Sequence, residues 1–183
     1  MKFLAVLADG FEDLEAIGTI ALLRRSGMEV ETASVSEKNI VTGSFKTPVL
    51  ADTLLSKIKV EHYDGLFLPG GAATKTLRES QAVTNIVKAF AKANKYLTAI
   101  CAAPSVYGAL GLLDGKHYTC FPSLETYMPK GIKENKPAVI DGLIVTGAGA
   151  GAVTEFALAV IETTLGKAKA DEVSKRILFR IYE

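Results

Sequence analysis

The stretch "YLTAICAAPSVYG", Tyr96 to Gly108, carries the plan of the fold in miniature. A short apolar run, Tyr96 to Ile100, has the length of a strand. It ends at Cys101, two alanines follow, and Pro104 opens a segment of helical character. Proline suits the first turn of a helix, where the N–H it lacks has no intrahelical partner. Small residues at 102 and 103 let the backbone turn sharply, so the unit reads as strand, tight turn, helix. The same stretch poses a chemical question. Free cysteine is among the most buried residue types and is usually inert. A cysteine at a strand-to-helix turn, facing unpaired helix N–H groups, is instead placed to become a thiolate nucleophile. The pattern alone leaves both readings open.

The same unit recurs along the chain. "KFLAVLA" (Lys2 to Ala8) is a nearly continuous apolar run, as expected for a strand covered on both faces. "EDLEAIGTIALLRRSG" follows as a helix, with acids at its start, Arg24 and Arg25 near its end, and Gly27 as the stop. Glu29 to Val35 alternates like a strand, and Asn39 to Leu55 suggests a small antiparallel hairpin. "GLFLPGG" (Gly65 to Gly71) is a further strand closed by a tight turn. Ser80 reads as an N-cap, and Val83, Ile86, Val87 and Phe90 then mark an amphipathic helix. "HYTCF" is a short strand candidate. "AVIDGLIVT" carries an Asp-Gly hairpin signal. After a glycine-rich loop at Gly147, Gly149 and Gly151, Val153, Phe156, Ala157, Val160 and Ile161 mark a long helix. A last helix runs from about Ala168 toward the C-terminus. Alternating strands and helices imply an α/β fold with a mostly parallel sheet covered on both faces.

Composition narrows the function classes. The 183 residues suit one domain, with 49% apolar residues for its core. Lys plus Arg is 21 and Asp plus Glu is 20, with no block of like charge, which argues against nucleic acid or an anionic membrane as partner. The first apolar run is too short for a signal sequence or a membrane span, so the expected location is the cytoplasm. Two cysteines make no disulfide framework and fit a reducing compartment. Two histidines without ligand spacing argue against a zinc site. "TGAGAG" lacks the lysine and Ser/Thr of a phosphate loop, and no other cofactor motif is present.

In a parallel sheet, ligands bind beyond the carboxyl ends of the strands. The loops there are "DGFEDLE", "PGG", "CAAP" and "TGAGAG". They bring Glu12, Asp13, Glu15, Gly70, Gly71, Cys101, Ala102 and Thr146 to one edge as candidates for a common site. His62 and His117 sit at amino ends, on the other edge. The acids at 12 and 13 have a plain use as complements to the helix dipole. A carboxyl turned toward a half-buried site would have its pKa raised, and Glu15 is the natural companion of Cys101. The pattern leaves open which acid faces inward. Gly70 and Gly71 serve a tight turn, and would also bring N–H groups close to an oxyanion.

Taken in order, "ADGFEDLEAIGTIALLRRSGMEV", "YDGLFLPGG", "AICAAPSVYG", "DGLIVTGAGAG" and "EFALAVIETTLG" resemble the ThiJ/PfpI superfamily. They are most similar to its Parkinson-disease-protein (protein/nucleic acid deglycase) branch, which includes bacterial YajL-type members. The resemblance spans nearly the whole chain. It implies a flavodoxin-like three-layer sandwich, one domain over residues 1–183, usually a homodimer. It puts the family's reactive cysteine on Cys101 and its acid on Glu15, with Glu12 as the first of an E-x-x-E pair. Backbone groups on the oxyanion side fall on Gly71 and Ala102. The activities it implies are cofactor-free conversion of methylglyoxal to lactate, deglycation of amines and thiols, response to peroxide, and chaperoning. Two departures matter. Protease-like branches carry a histidine after the cysteine, where Ala102 stands here, so a Cys-His peptidase is not expected. Some relatives have a histidine where Phe121 stands. With no histidine base, slow turnover is expected. Cys120 falls on no catalytic position of the family, though its strand would bring it near Cys101.

The expectation is therefore a glyoxalase- or deglycase-like enzyme acting on small carbonyls. The alternative is a redox sensor, or redox-regulated chaperone, in which peroxide takes Cys101 to the sulfinate. Least supported is a holdase in which Cys101 is incidental.

Overall fold

The computed structural model describes residues 1–180. The chain opens with β1 (Lys2–Leu7), α1 (Asp13–Arg25) and β2 (Glu29–Ser34). The hairpin β3 (Ile40–Thr42) and β4 (Pro48–Leu50) follows, then β5 (Thr53–Leu54) and β6 (Gly65–Leu68). Helices α2 (Ala73–Glu79) and α3 (Gln81–Lys92) lead to β7 (Tyr96–Ile100) and α4 (Pro104–Gly108). After β8 (His117–Tyr118) and β9 (Ile132–Lys133) come β10 (Ala138–Asp141), β11 (Ile144–Gly147), α5 (Val153–Leu165) and α6 (Lys167–Arg176).

Seven strands form the main sheet in the order β10-β11-β7-β6-β1-β2-β5. Every pairing is parallel except β10 with β11, which the Asp141-Gly142 turn joins as an antiparallel hairpin. The five central strands, taken by their sequence order, run 2-1-3-4-5, the flavodoxin-like arrangement. Its topological switch point lies between β1 and β6, where successive connections leave toward opposite faces.

Strand alternation divides the core into two layers. Phe3, Ala5, Phe67, Ile100 and Val145 face α1, α5 and α6, packing on Leu23, Phe156, Val160 and Val173. Leu4, Val6, Leu66, Leu68, Leu97 and Ala99 face the other side, against Val83, Val87, Phe90, Val106 and Tyr107. Tyr107 also binds α4 to the sheet, its hydroxyl donating to the Thr98 carbonyl at 2.9 Å in full burial.

Sequence and structure agree on β1, β2, β6, β7, the β3–β4 hairpin and the β10–β11 hairpin, on Ser80 as the cap of α3 and on Gly27 as the left-handed stop after α1, while β5 and β9 were not expected. The strand expected over "HYTCF" is shorter, ending at Tyr118. The last helix ends at Arg176, so it does not continue to the C-terminus, and residues 181–183 of that expectation lie outside the described residues. Helix α2 was not legible: its one face buries only Ala73, Thr74 and Leu77. No helix of the described residues is long and apolar enough to cross a membrane.

Candidate active site

The loops after β1 and β6 meet at the switch point. Phe11 and Gly71 form an antiparallel bridge, Glu12 N–H donates to the Gly70 carbonyl at 3.1 Å, and Ala73 N–H donates to the Gly10 carbonyl at 3.0 Å. Gly71 has φ +87°, and a Cβ there would come within 2.5 Å of Glu12 N and of the Gly10 carbonyl oxygen. Only glycine fits, because both the backbone angle and the space forbid a side chain.

The three acids of "FEDLE" take three different jobs. Glu12 caps α1, its Oε2 accepting from the Glu15 N–H at 2.7 Å. Asp13 turns outward and accepts from the N–H groups of Phe45 (2.9 Å) and Thr47 (3.2 Å), fixing the β3–β4 loop to the start of α1. Hydrogen bonds from Thr47 and Phe45 hold its pKa below the usual carboxylate value. Glu15 is the acid that faces inward. It is fully buried, on the α1 stripe shared with Ala16, Thr19, Ile20 and Leu23.

Glu15 Oε2 accepts from the Gly70 N–H at 2.9 Å. No donor meets Oε1 at hydrogen-bonding geometry among the described residues. The Cys101 thiol is nonetheless close enough to tie the proton equilibria of the two groups together. Burial, opposed by interaction with Cys101, and then the neighbouring charge of Glu12 push the Glu15 carboxyl up to about 7. Gly70 makes this approach possible. A Cβ at 70 would stand 2.7 Å from Glu15 Oε2, 2.8 Å from the Cys101 Cβ and 3.1 Å from Ala102 N.

Cys101 itself is 9% exposed and adopts φ +63°. Both its peptide groups are tied: its N–H donates to the Gly147 carbonyl at 2.9 Å, and its carbonyl accepts from Phe121 N–H at 2.8 Å. The turn presents the sulfur to the main-chain N–H groups of Ala102 and Gly71, which favour the thiolate. The N–H donors expected at a strand-to-helix turn are in place. Burial and the ionised Glu15 carboxylate nevertheless outweigh the two donors, and the thiol is pushed up to about 12. Two anions side by side in a buried site repel strongly, so the pair holds one proton across a wide pH range. With that proton on Glu15, the repulsion disappears and the carboxyl becomes a donor toward sulfur. A reactive thiolate thus depends on where one shared proton resides.

The remaining candidates stand further out. Thr146 pairs in register with Ala99 on β7, and its Oγ1 accepts from Thr119 N–H at 2.9 Å, anchoring the segment that leads to Phe121. His62 is exposed, and His117 pairs with Glu134 at 2.7 Å; both lie at the amino edge as expected. Cys120 is buried in the other core layer, with its Sγ donating to the Phe121 carbonyl at 3.2 Å. Both cysteines are free. Sequence reasoning missed Ser105 and Arg78. Ser105 Oγ donates to the Ala102 carbonyl at 2.6 Å and accepts from Arg78 at 2.9 Å, while the Arg78 guanidinium stacks 4.0 Å from the centre of the Tyr127 ring. A serine one turn after a cysteine on a Pro-started helix is a weak signal, and Arg78 gives none. Among the described residues no three His, Cys, Asp or Glu side chains cluster as a metal would require.

A thiol at a sharp turn, a buried acid beside it and inward-facing N–H groups gather at one edge of a flavodoxin-like sheet as a candidate site. The profile of the DJ-1/PfpI family matches residues 1–163, and the chain belongs to that family. It is 33% identical to Drosophila melanogaster protein dj-1beta over 96% of this chain and 95% of that one. It is 40% identical to Arabidopsis thaliana DJ-1 homolog A over 95% of its own length, but spans only 45% of that longer protein. Among solved structures, oxidised Toxoplasma gondii DJ-1 superposes with a TM-score of 0.92 at 34% identity, covering 98% of each chain. A DJ-1 superfamily protein of Salmonella typhimurium gives 0.91 at 35% identity, covering 97% of this chain and 98% of that one.

Burial of Glu15 has a consequence for stability. Its folded pKa lies above the unfolded value of 4.5, at about 7. The folded state therefore binds the proton more tightly, and stability is lost as pH rises from 4.5 toward and past 7. Glu15→Gln keeps an acceptor for Gly70 N–H but does not titrate. Urea unfolding at pH 4.5 and pH 8 is expected to show the variant gaining about 3 kcal/mol on wild type across that interval. No relative gain would mean that Glu15 is not held in its protonated form by burial.

Proposed function

We propose that this protein is a cofactor-free, cysteine-dependent enzyme of the glyoxalase type, acting on small 2-oxoaldehydes or their early adducts with amines and thiols. The observation that carries the reading is the fully buried Glu15 carboxyl, set beside the Cys101 thiol at the carboxyl edge of the sheet, with burial pushing it up to about 7. The thiolate adds to the aldehyde carbon, forming the S–C bond and an oxyanion faced by the N–H groups of Gly71 and Ala102. The oxyanion takes the proton held by Glu15. The resulting carboxylate removes the C–H proton from that carbon, giving an enediolate; the same proton is returned to the adjacent carbon, while the hydroxyl proton of the first carbon passes to the oxygen of the second, leaving a thioester and a 2-hydroxyl. One carbon is oxidised and its neighbour reduced by the same two electrons, so no outside oxidant is needed. Water then hydrolyses the thioester to a 2-hydroxy acid and restores the thiol. Gly70, Glu12 and Thr146 support the site. The experiment is single-turnover conversion of methylglyoxal. Cys101→Ala is expected to form no lactate above background, and Glu15→Gln to be slowed about 100-fold or more. Equal lactate formation by wild type and Cys101→Ala would sink the proposal.

A second reading has its own support. A protonated acid and two N–H groups beside one sulfur suit an oxygenated cysteine, and the Toxoplasma relative was solved in an oxidised form. In this reading the Cys101 thiolate attacks peroxide, breaking the O–O bond to give the sulfenic acid and hydroxide, and a second peroxide takes the sulfenate to the sulfinate with release of water. Peptide mass spectrometry after mild peroxide is expected to find the added oxygens on Cys101. Oxidation confined to Cys120 would refute this role.

The working unit in either reading is a homodimer. Leu14, Ile17, Ile40, Phe45 and Leu50 are exposed large apolar residues on α1 and the adjoining β3–β4 hairpin. Large apolar side chains gathered on one face mark an association surface. Sedimentation should give a dimer for wild type and a monomer for Leu50→Glu; a monomeric wild type would refute the assignment.

A further inference from the structure

A groove of about 530 Å³ opens beside the cysteine turn, lined by Phe121, Pro122, Pro137, residues 148–152 and Glu155. Two of its walls begin at Cys101 itself. Cys101 N–H is bound to the carbonyl of Gly147, the residue before Ala148, and the Cys101 carbonyl is bound by Phe121 N–H. Both walls are therefore tied to the main chain of the sulfur-bearing residue, which is not itself among the lining residues. Its lining is alanine, glycine, proline and one aromatic ring. Among the described residues the one ionisable side chain in this lining, Glu155, is paired with Arg180 at 2.8 Å. Nothing in this lining calls for a charged arm. Phe121 stands 51% exposed at its rim, and its ring would lie 3.7 Å from a Cβ placed at Gly149. An aromatic ring left half in water gains by covering apolar surface.

We infer that the substituent on the carbonyl substrate is apolar and larger than a methyl group, and that Phe121 and residues 148–152 hold it. The inference rests on the thiol-addition reading above, whose substrate class it narrows to alkyl- or aryl-substituted 2-oxoaldehydes. Phe121 is then a specificity residue: it grips the arm of the substrate while Cys101 and Glu15 act on the carbonyl end.

The test is one that needs no turnover. Bromoacetone and 2-bromoacetophenone alkylate a thiolate directly, forming an S–C bond and releasing bromide. They differ only in a methyl or phenyl arm. The ratio of their rates at Cys101, aryl over methyl, is divided by the same ratio for free cysteine. Wild type is expected to show an enhancement of about tenfold, a usual worth for one well-filled apolar subsite. Phe121→Ala keeps the main-chain N–H that holds the turn and should bring the ratio near that of free cysteine. Phe121→Leu, which restores an apolar wall, should recover most of the enhancement. A wild-type ratio equal to that of free cysteine overturns the inference. So does an enhancement that survives Phe121→Ala, or no labelling of Cys101 by either reagent. An enhancement that appears only on dilution to monomer also overturns it, since a second copy then fills the groove. Conversion of phenylglyoxal and methylglyoxal is measured alongside. If neither is converted, the glyoxalase reading falls, while the labelling ratio still decides the groove.

Discussion

A non-glycine residue at φ +63° has to be held there, and Cys101 is held by both of its peptide groups. The left-handed conformation costs on the order of 1 kcal/mol or more for a residue with a Cβ. Bonds to Gly147 at the end of β11 and to Phe121 beyond β8 offset that cost. These bonds do more than stabilise a turn. They bring three distant pieces of chain to one point and aim the sulfur at the mouth of the β1 and β6 loops. Without the turn, the side chain would follow strand alternation into a core layer and Cys101 would be another inert thiol.

The buried carboxyl is the second constraint, and it works against stability. Glu15 occupies a core position on α1 that an apolar residue would fill at lower cost. The surroundings are arranged to accept it: Gly70 supplies an N–H and leaves the space that any other residue would block. Glu12 caps the helix and adds a negative charge that raises the Glu15 pKa further. A site that holds an acid in its protonated form near neutral pH, beside a thiol, is a proton-sharing device. Structural ion pairs are built the opposite way, with each partner stabilising the other's charge. Perturbed groups of this kind gather where chemistry is done.

Much of this was legible in the sequence, for physical reasons. Strands buried on both faces are continuous apolar runs, so β1, β6 and β7 announce themselves. Because the sheet is parallel, naming the strands also names the loops at their carboxyl ends, and Cys101, Glu15, Gly70 and Gly71 follow. What failed was phase and pairing. Leu14 and Ile17 are apolar yet exposed, while Glu15 and Thr19 are polar yet fully buried, so hydrophobicity alone misplaces the inner face of α1. The structure shows the phase in the spacing: positions 15, 19 and 23 repeat at i, i+4, i+8 and share the buried stripe. Helix α2 and the parallel pair β8–β9 are too short and too exposed to carry a period. Helix N–H groups, which lower a thiol pKa, are visible in sequence, whereas burial and the neighbouring carboxylate, which together raise that of Cys101, are facts of tertiary packing.

The carbonyl and peroxide readings share the same thiolate and the same acid, so the pair does not decide between them. The surroundings do discriminate. Peroxide is small and polar; it needs only a path to the sulfur and gains nothing from an apolar wall. An aldehyde has two ends. Its reacting carbon requires the polar donors of Gly71 and Ala102, and its substituent requires a place outside them. The groove beside the Cys101 turn, lined by Phe121 and residues 148–152, is the place we propose for it, with the single carboxylate among its described lining residues already paired. Polar groups converge on the sulfur, and the apolar groove lies beyond the main chain of the turn that carries it. That division of labour matches a substrate with a carbonyl head and an apolar arm, and it is why catalysis on carbonyls ranks above peroxide sensing as the reading of this site.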